Sequence, residues 1–314
     1  MKKIKTAVIG TGYLGKFHAQ KYASLANSEL VGVCDINAEL CQDIAKQYNV
    51  PAYTDYHELI SKVDAVSIAV PTLAHYEVTQ VFLKNGIHVL LEKPITPTVN
   101  EAEILINIAK QKDLVFQIGH LERFNPALKA LEGLLDNPRF IESFRLAPFK
   151  LRGSDVNVVL DMMIHDIDII QNIIQSPIVH IDASGACVLS NELDIVNARL
   201  KFANGAVANV TASRVSVKTE RKLRIFQHNA YLSLDLQDKK LTCYHKGTGE
   251  MFPGIPDIVS DEKFFEQGDS LRDEIIAFLD AITHKTTPII TGEHGKAALA
   301  TAIEITNIIH AQAK

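Results

Sequence analysis

Thr6-Ala7-Val8-Ile9-Gly10-Thr11-Gly12-Tyr13-Leu14-Gly15 is the stretch on which the fold turns. A short β-branched apolar run leads straight into Gly10, Gly12 and Gly15, a complete G-x-G-x-x-G. In that motif the first glycine permits the tight turn. The second lets a pyrophosphate approach the backbone, and the third lets helix and strand pack closely. The N-terminus of the helix that follows presents N–H groups to phosphates. On its own, such a segment is only a glycine-rich strand–helix turn. Asp35 gives it context: it lies twenty residues beyond Gly15, at the end of a second apolar run over 30–34. A carboxylate there meets the adenosine ribose hydroxyls. It also repels the 2′-phosphate of NADP, and Ile36-Asn37-Ala38 supplies no arginine to offset this, so NAD is favoured over NADP. Gly10, Thr11, Gly12, Tyr13, Leu14, Gly15 and Asp35 are the candidate cofactor residues.

Outward from this motif, apolar runs recur over 65–70, 87–91 and 115–118, alternating with amphipathic stretches. The runs are nearly continuous in apolar character, as strands of a parallel sheet covered on both faces must be. One helical stretch, from Glu101 to Lys110, follows a capping box, Thr98-Val99-Asn100-Glu101. Strand–helix alternation predicts right-handed βαβ units and a doubly wound sheet. The second half follows another rule. Residues 196–202 and 206–214 alternate on either side of Asn204-Gly205, a hairpin signal in which both turn residues take φ > 0. Strand patterns follow over 223–227, 230–236 and 241–245. Helices are expected over 156–174, 271–282 and 297–311. The fold class is therefore α/β: a Rossmann domain over 1–121, then an α+β substrate-binding and oligomerisation domain with a mainly antiparallel sheet over 122–314.

Composition narrows the function classes. The 314 residues are 47% hydrophobic and 22% charged, with mean hydropathy +0.06, which excludes a disordered or fibrous chain. A net charge of −5 argues against coating nucleic acid or an anionic membrane. The four cysteines form no C-x-x-C pair, so neither a zinc module nor a disulfide scaffold is expected. The apolar run after Met1-Lys2-Lys3-Ile4-Lys5 stops at Gly10, too short for a signal-peptide core, and no apolar stretch spans a membrane. A cytoplasmic protein is expected.

Chemistry-bearing residues stand out in two places. Within the apolar stretch 156–174, Asn157, Asp161, His165, Asp168 and Asn172 fall within about 80° of one another at ~100° per residue. Asp161 and His165, four apart, would neighbour each other on that face. A solvated stripe on an amphipathic helix explains this pattern; so does a carboxylate–imidazole pair turned into a cleft. Metal ligation by His165, Asp166 and Asp168 is disfavoured, since Asp166 and Asp168 diverge by about 200° on a helix. The second place is the C-terminal rim of the parallel sheet, where doubly wound folds bind ligands. It carries Pro71-Thr72 and Glu92-Lys93-Pro94. Arg123-Phe124-Asn125-Pro126 opens the second domain.

With these elements in order, the chain resembles the Gfo/Idh/MocA family of sugar and cyclitol oxidoreductases over essentially its whole length. The matching elements are Gly10 to Gly15 with His18, Asp35, Val70-Pro71-Thr72 with His75, and Glu92-Lys93-Pro94. Arg123 to Pro126, Leu160 to Asp168 and Thr291-Gly292-Glu293-His294-Gly295 match too. The resemblance implies that Lys93, Asp161 and His165 form a catalytic set, with Pro71, Thr72, His75, Glu92 and Lys93 beside the cofactor. It favours the cleft reading of the polar stripe. One departure is Arg152-Gly153-Ser154-Asp155-Val156-Asn157, where many members carry a glycine-rich run.

The stretch from Gly119 to Pro126 with Asp161 to His165 is similar to members that oxidise the 3-hydroxyl of UDP-N-acetylglucosamine. Arg123, Lys150, Arg152 and Arg214 are basic residues suited to a diphosphate, and Arg123, Asn157 and Lys150 are the candidate substrate contacts. The expected partner is a sugar or nucleotide sugar, with a homodimer or homotetramer formed through the antiparallel sheet. Competing readings are a cyclitol or free-sugar dehydrogenase, NAD-assisted glycoside cleavage without net redox change, and a non-catalytic NAD-binding regulator. The last need not keep Lys93, Asp161 and His165 together, as this chain does.

Overall fold

A computed structural model describes residues 3–150, 156–266 and 268–312 of the chain. Arg152 and the rest of the departing run up to Asp155, with Met1 and Lys2, lie outside the described residues. Two compact units form: Met1–Leu121 with Asp269–Leu299, and Glu122–Gly268 with Ala300–Lys314.

The first unit holds β1 (Ile4–Ile9), α1 (Gly15–Ser24), β2 (Ser28–Cys34), α2 (Ala38–Tyr48), β3 (Ala52–Tyr53), β4 (Ala65–Ile68), α3 (Thr72–Lys84), β5 (His88–Glu92), α4 (Val99–Gln111) and β6 (Phe116–Gly119). The strands pair in parallel in the order β3-β2-β1-β4-β5-β6, the doubly wound order of dinucleotide-binding folds. β4 and β6 are buried along their whole length, as a sheet covered on both faces demands. The capping box forms as the sequence reads: Glu101 N–H donates to Thr98 Oγ1 at 3.3 Å, and Thr98 N–H donates to Glu101 Oε2 at 3.1 Å.

The second unit holds α5 (Pro126–Lys129), β7 (Phe140–Leu146), a π-helical turn (Val159–Met163) running into α6 (Ile164–Ile174), and then β8 (Ile178–Ala186), β9 (Ile195–Phe202), β10 (Val207–Ser213), β11 (Glu220–Gln227), β12 (Ala230–Asp235), β13 (Lys240–Phe252) and β14 (Ile255–Phe264). Its eight strands run β14-β13-β12-β11-β7-β10-β9-β8, antiparallel except for the parallel pair β7–β10. The Asn204-Gly205 hairpin is present, with one correction. Only Gly205 takes positive φ, +83°. Gly205 N–H donates to the Phe202 carbonyl and Phe202 N–H to the Ala206 carbonyl, each at 2.9 Å, so three residues, Ala203 to Gly205, make the loop rather than two.

Two helices complete the chain, α7 (Ser270–His284) and α8 (Gly292–Gln312). The sequence reading placed everything after 121 in one domain, whereas Asp269–Leu299 returns to the first unit. The reason is packing: Ile275, Phe278 and Leu279 of α7 are buried with Val8, Ala19, Tyr22, Val33 and Leu90. Helical periodicity shows that α7 has an apolar face, not which sheet that face covers. No helix among the described residues is long and apolar enough to cross a membrane.

Candidate active site

The glycine loop has the geometry its motif calls for. Gly10 sits at φ +86°, and a Cβ there would lie 2.7 Å from the Ala69 carbonyl oxygen. A Cβ on Gly15 would collide with the Gly10 carbonyl oxygen, so α1 meets β1 only through glycine. Nothing lies within 4 Å of a Cβ built on Gly12, which leaves its backbone open to a phosphate. The first turn of α1 carries neither a capping side chain nor an acid, so nothing internal competes with an anion there. Asp35 reaches back to the loop: Oδ2 accepts from Thr11 N–H at 2.6 Å and from Thr11 Oγ1 at 3.1 Å, and Oδ1 accepts from Asn37 N–H at 2.9 Å. Ile36 beside it is 95% exposed, and Tyr13 and Leu73 are also exposed apolar side chains. An open phosphate cradle, a fixed carboxylate and exposed apolar surface together fit a dinucleotide.

At the ends of β4 and β5, Pro71 caps α3 and Thr72 begins it. Glu92 closes β5, with Lys93 next in the chain, half-buried. Two residues assigned to the cofactor by resemblance turn out differently. His75 is buried, its Nδ1 2.8 Å from the Pro94 carbonyl and its Nε2 2.9 Å from the Val70 carbonyl. Burial lowers its pKa against the pull of those carbonyls. Glu92 is buried against His18 Nε2 at 3.0 Å. Burial pushes its carboxyl up, but the His18 bond and the charges of His18 and Lys93 prevail and hold it below its ordinary value. Both side chains support the rim from behind.

In the second unit, Asn157 caps the helix, its Oδ1 accepting from Val159 and Leu160 N–H at 3.1 and 3.0 Å. Ile164 N–H then reaches back five residues to the Val159 carbonyl, the signature of a π turn. The uniform 100° count used for Asp161 and His165 therefore fails between them. A solvated stripe is not what forms. Asp168 is 2% exposed and accepts from Arg123 Nε at 2.7 Å and Nη2 at 2.8 Å, while Arg123 Nη1 donates to Asn172 Oδ1 at 2.5 Å. Asp166, also buried, accepts from Ser143 Oγ at 2.8 Å and Arg145 Nε at 2.6 Å. Asp161 and His165 stay half-buried on a helix whose other residues are mostly enclosed. Among the described residues, no group of His, Cys, Asp and Glu side chains is arranged to hold a metal ion.

Arg123 and Asn157, read as substrate contacts, are thus occupied in mounting and capping the helix. Arg214 is buried as well, its Nε donating to Asp194 at 2.7 Å and its Nη1 to the Val156 carbonyl at 2.5 Å. Lys150 remains exposed. Lys93 belongs to the first unit, Asp161 and His165 to the second. Sequence reasoning missed Ser67, a partner of His18, and Tyr22, which bonds Ser67 in turn, since nothing in a buried strand and helix marks which polar residues meet.

Comparison with known proteins agrees with this reading. Residues 4–120 match the model of an oxidoreductase family with an NAD-binding Rossmann fold, and 138–233 match the GFO/IDH/MocA C-terminal domain. UDP-N-acetylglucosamine 3-dehydrogenase of Acidithiobacillus ferrooxidans is 39% identical over 306 residues, covering 97% of each chain. A solved structure of that enzyme superposes with a TM-score of 0.94 over 99% of both chains. Myo-inositol 2-dehydrogenase of Thermotoga maritima is 26% identical, covering 94% of this chain and 93% of that one. Fold, glycine loop and whole-length similarity together place the chain in the Gfo/Idh/MocA oxidoreductase family.

Proposed function

We propose that this oxidoreductase is an NAD-dependent dehydrogenase of the 3-hydroxyl of UDP-N-acetylglucosamine. One observation carries the reading: 39% identity over 97% of both chains to an enzyme named for that reaction. Asp35 supports NAD over NADP, because its carboxylate, fixed by Thr11 and Asn37, faces the ribose edge where a 2′-phosphate would add like charge. Bound nicotinamide supplies the hydride acceptor. The chain's own residues handle the proton and the charge. His165 accepts the hydroxyl proton, a role suited to the ordinary titration range of imidazole. The Lys93 ammonium stabilises the alkoxide that develops as the C–H bond breaks, and Asp161 orients the imidazole or holds the substrate. Lys150 is the exposed cation offered to the diphosphate.

The same reading extends to assembly through the second unit's sheet. Phe140, Phe226, Tyr231 and Tyr244 form a row of rings across β7, β11, β12 and β13, with centroids 4.7–5.8 Å apart and none fully buried. That row supports a homodimer or homotetramer through this face, a mass that light scattering after gel filtration reads directly. For the reaction, purified protein is given NAD with UDP-sugars, free sugars and inositols in turn. NADH formation with UDP-N-acetylglucosamine and a 3-keto product by NMR are expected. Turnover of an inositol or a free sugar with no UDP-sugar oxidised would overturn the reading.

A further inference from the structure

We infer that two buried histidines, His18 and His75, are positioning residues for Lys93, holding Glu92 and Pro94 on either side of it. This rests on the reading of Lys93 as the alkoxide-stabilising cation. His18 projects from α1, three residues after the last glycine of the loop. Its Nδ1 lies 3.0 Å from Ser67 Oγ on β4, and its Nε2 lies 3.0 Å from Glu92 Oε1 on β5. Ser67 Oγ is also 2.7 Å from the Tyr22 hydroxyl. An ionised Glu92 only accepts, so Nε2 carries the hydrogen and donates it. Nδ1 bonds Ser67 Oγ, and Ser67 Oγ bonds the Tyr22 hydroxyl in turn. Every member of this buried chain has a partner, the condition under which a polar network rigidifies its surroundings. The second Glu92 oxygen accepts from the Lys93 backbone N–H at 3.3 Å. On the other side, His75 from α3 lies between the Pro94 and Val70 carbonyls.

Both rings are 1% exposed, so neither is placed to touch a ligand; what they fix is backbone. Lysine carries its charge on a flexible four-carbon stem. The point its ammonium reaches therefore depends on where the backbone holds its root, and a misplacement of about 1 Å costs on the order of 10²-fold in rate.

The test compares His18→Asn, His75→Gln and Lys93→Ala with wild type, measuring kcat, sugar KM, the NADH Kd from its own fluorescence (the chain has no Trp) and Tm. Both histidine variants are expected to lose roughly tenfold or more in kcat while the NADH Kd stays within about threefold, a split that general loosening does not give. His18→Asn added to Glu92→Gln should lose no more than Glu92→Gln alone, because both act along one path. Ser67→Ala cuts the same chain more gently and serves if His18→Asn does not fold. Should Lys93→Ala abolish turnover while the histidine variants keep kcat within about threefold, the inference is wrong and the lysine reading stands. Equal losses in kcat and NADH affinity also overturn it. Turnover retained by Lys93→Ala refutes the lysine reading first, and the positioning role with it.

Discussion

Replacing Asp194 with Asn should unfold the second unit far more easily than a one-atom change suggests. Asp194 precedes β9, and its side chain is 0% exposed. Oδ2 accepts from the backbone N–H groups of Val188, Leu189 and Ser190 at 2.8, 2.6 and 2.9 Å. Oδ1 accepts from Ser190 Oγ and Arg214 Nε, both at 2.7 Å. An amide offers one accepting oxygen, so its NH₂ must face either three N–H donors or a guanidinium. Breaking a buried pair by removing one partner costs about 3–5 kcal/mol, and an orphaned buried donor about 1–3 kcal/mol. The cover is shallow, since Val188 and Leu189 are exposed, which favours the lower end: about 3 kcal/mol. Against the usual 5–15 kcal/mol of a domain, that is a large share. In urea it corresponds to a midpoint shift of roughly 1–2 M by far-UV circular dichroism. Burial raises the Asp194 pKa, but its donors outweigh this and depress it. Its stabilisation is therefore full above the ordinary carboxylate range and lost as pH falls below it, so wild type and variant should converge on acidification. A loss under about 1 kcal/mol at neutral pH, or a gap constant with pH, would refute the reasoning. Adding Arg214→Met to Asp194→Asn should recover part of the loss by removing the stranded cation.

Asp35→Ser should weaken NADH binding and relatively favour NADPH in parallel fluorescence titrations; tighter NADPH binding by wild type would contradict the reading of Asp35. His165→Ala should lower kcat by roughly 10²–10⁴-fold with cofactor affinity nearly unchanged, and should abolish a rise of rate with pH through neutrality. Turnover within about threefold of wild type would remove His165 from the chemistry. Glu274 is 0% exposed on α7; burial first and the Glu92 charge second push its pKa well up, which disfavours its ionised form in the folded state. Its unfavourable contribution grows as pH rises above the unfolded carboxylate range, so Glu274→Gln should raise Tm at pH 7 and leave it unchanged near pH 4.

What the sequence made legible follows from how far each signal is local. The glycine loop and the capping box depend on residues close in the chain, and each forms as read. β7 did not declare itself, because its inward residues are Ile141, Ser143 and Arg145. An arginine facing inward breaks the apolar alternation unless its buried partners, Asp166 and Glu122, are already known. β14 has almost no buried residue, so it carries no period-two signal at all. The same long-range pairing misled the reading of the site. Arg123 and Arg214 looked suited to a diphosphate by residue type, yet each meets a buried carboxylate distant in sequence, Asp168 or Asp194.

Those pairings also determine where Asp161 and His165 stand. Asp166 and Asp168 leave the helix in different directions, one to Ser143 and Arg145 of β7, the other to Arg123. Arg145 in turn shares Glu122 with Arg221, each at 3.1 Å. Buried pairs of this kind add little net stability compared with well-packed apolar residues, but stranding one partner costs about 3–5 kcal/mol. Turning α6 by one residue, about 100°, would strand Asp166 and Asp168 together. No comparable gain from sliding apolar side chains offsets two such losses, since volume-conserving hydrophobic rearrangements usually change stability by under about 1.5 kcal/mol. The rotation of the helix is therefore set by carboxylates that do not share the position of Asp161 or His165. An apolar helix of the same length could pack as tightly against this sheet, yet it would not hold those two side chains at one defined angle.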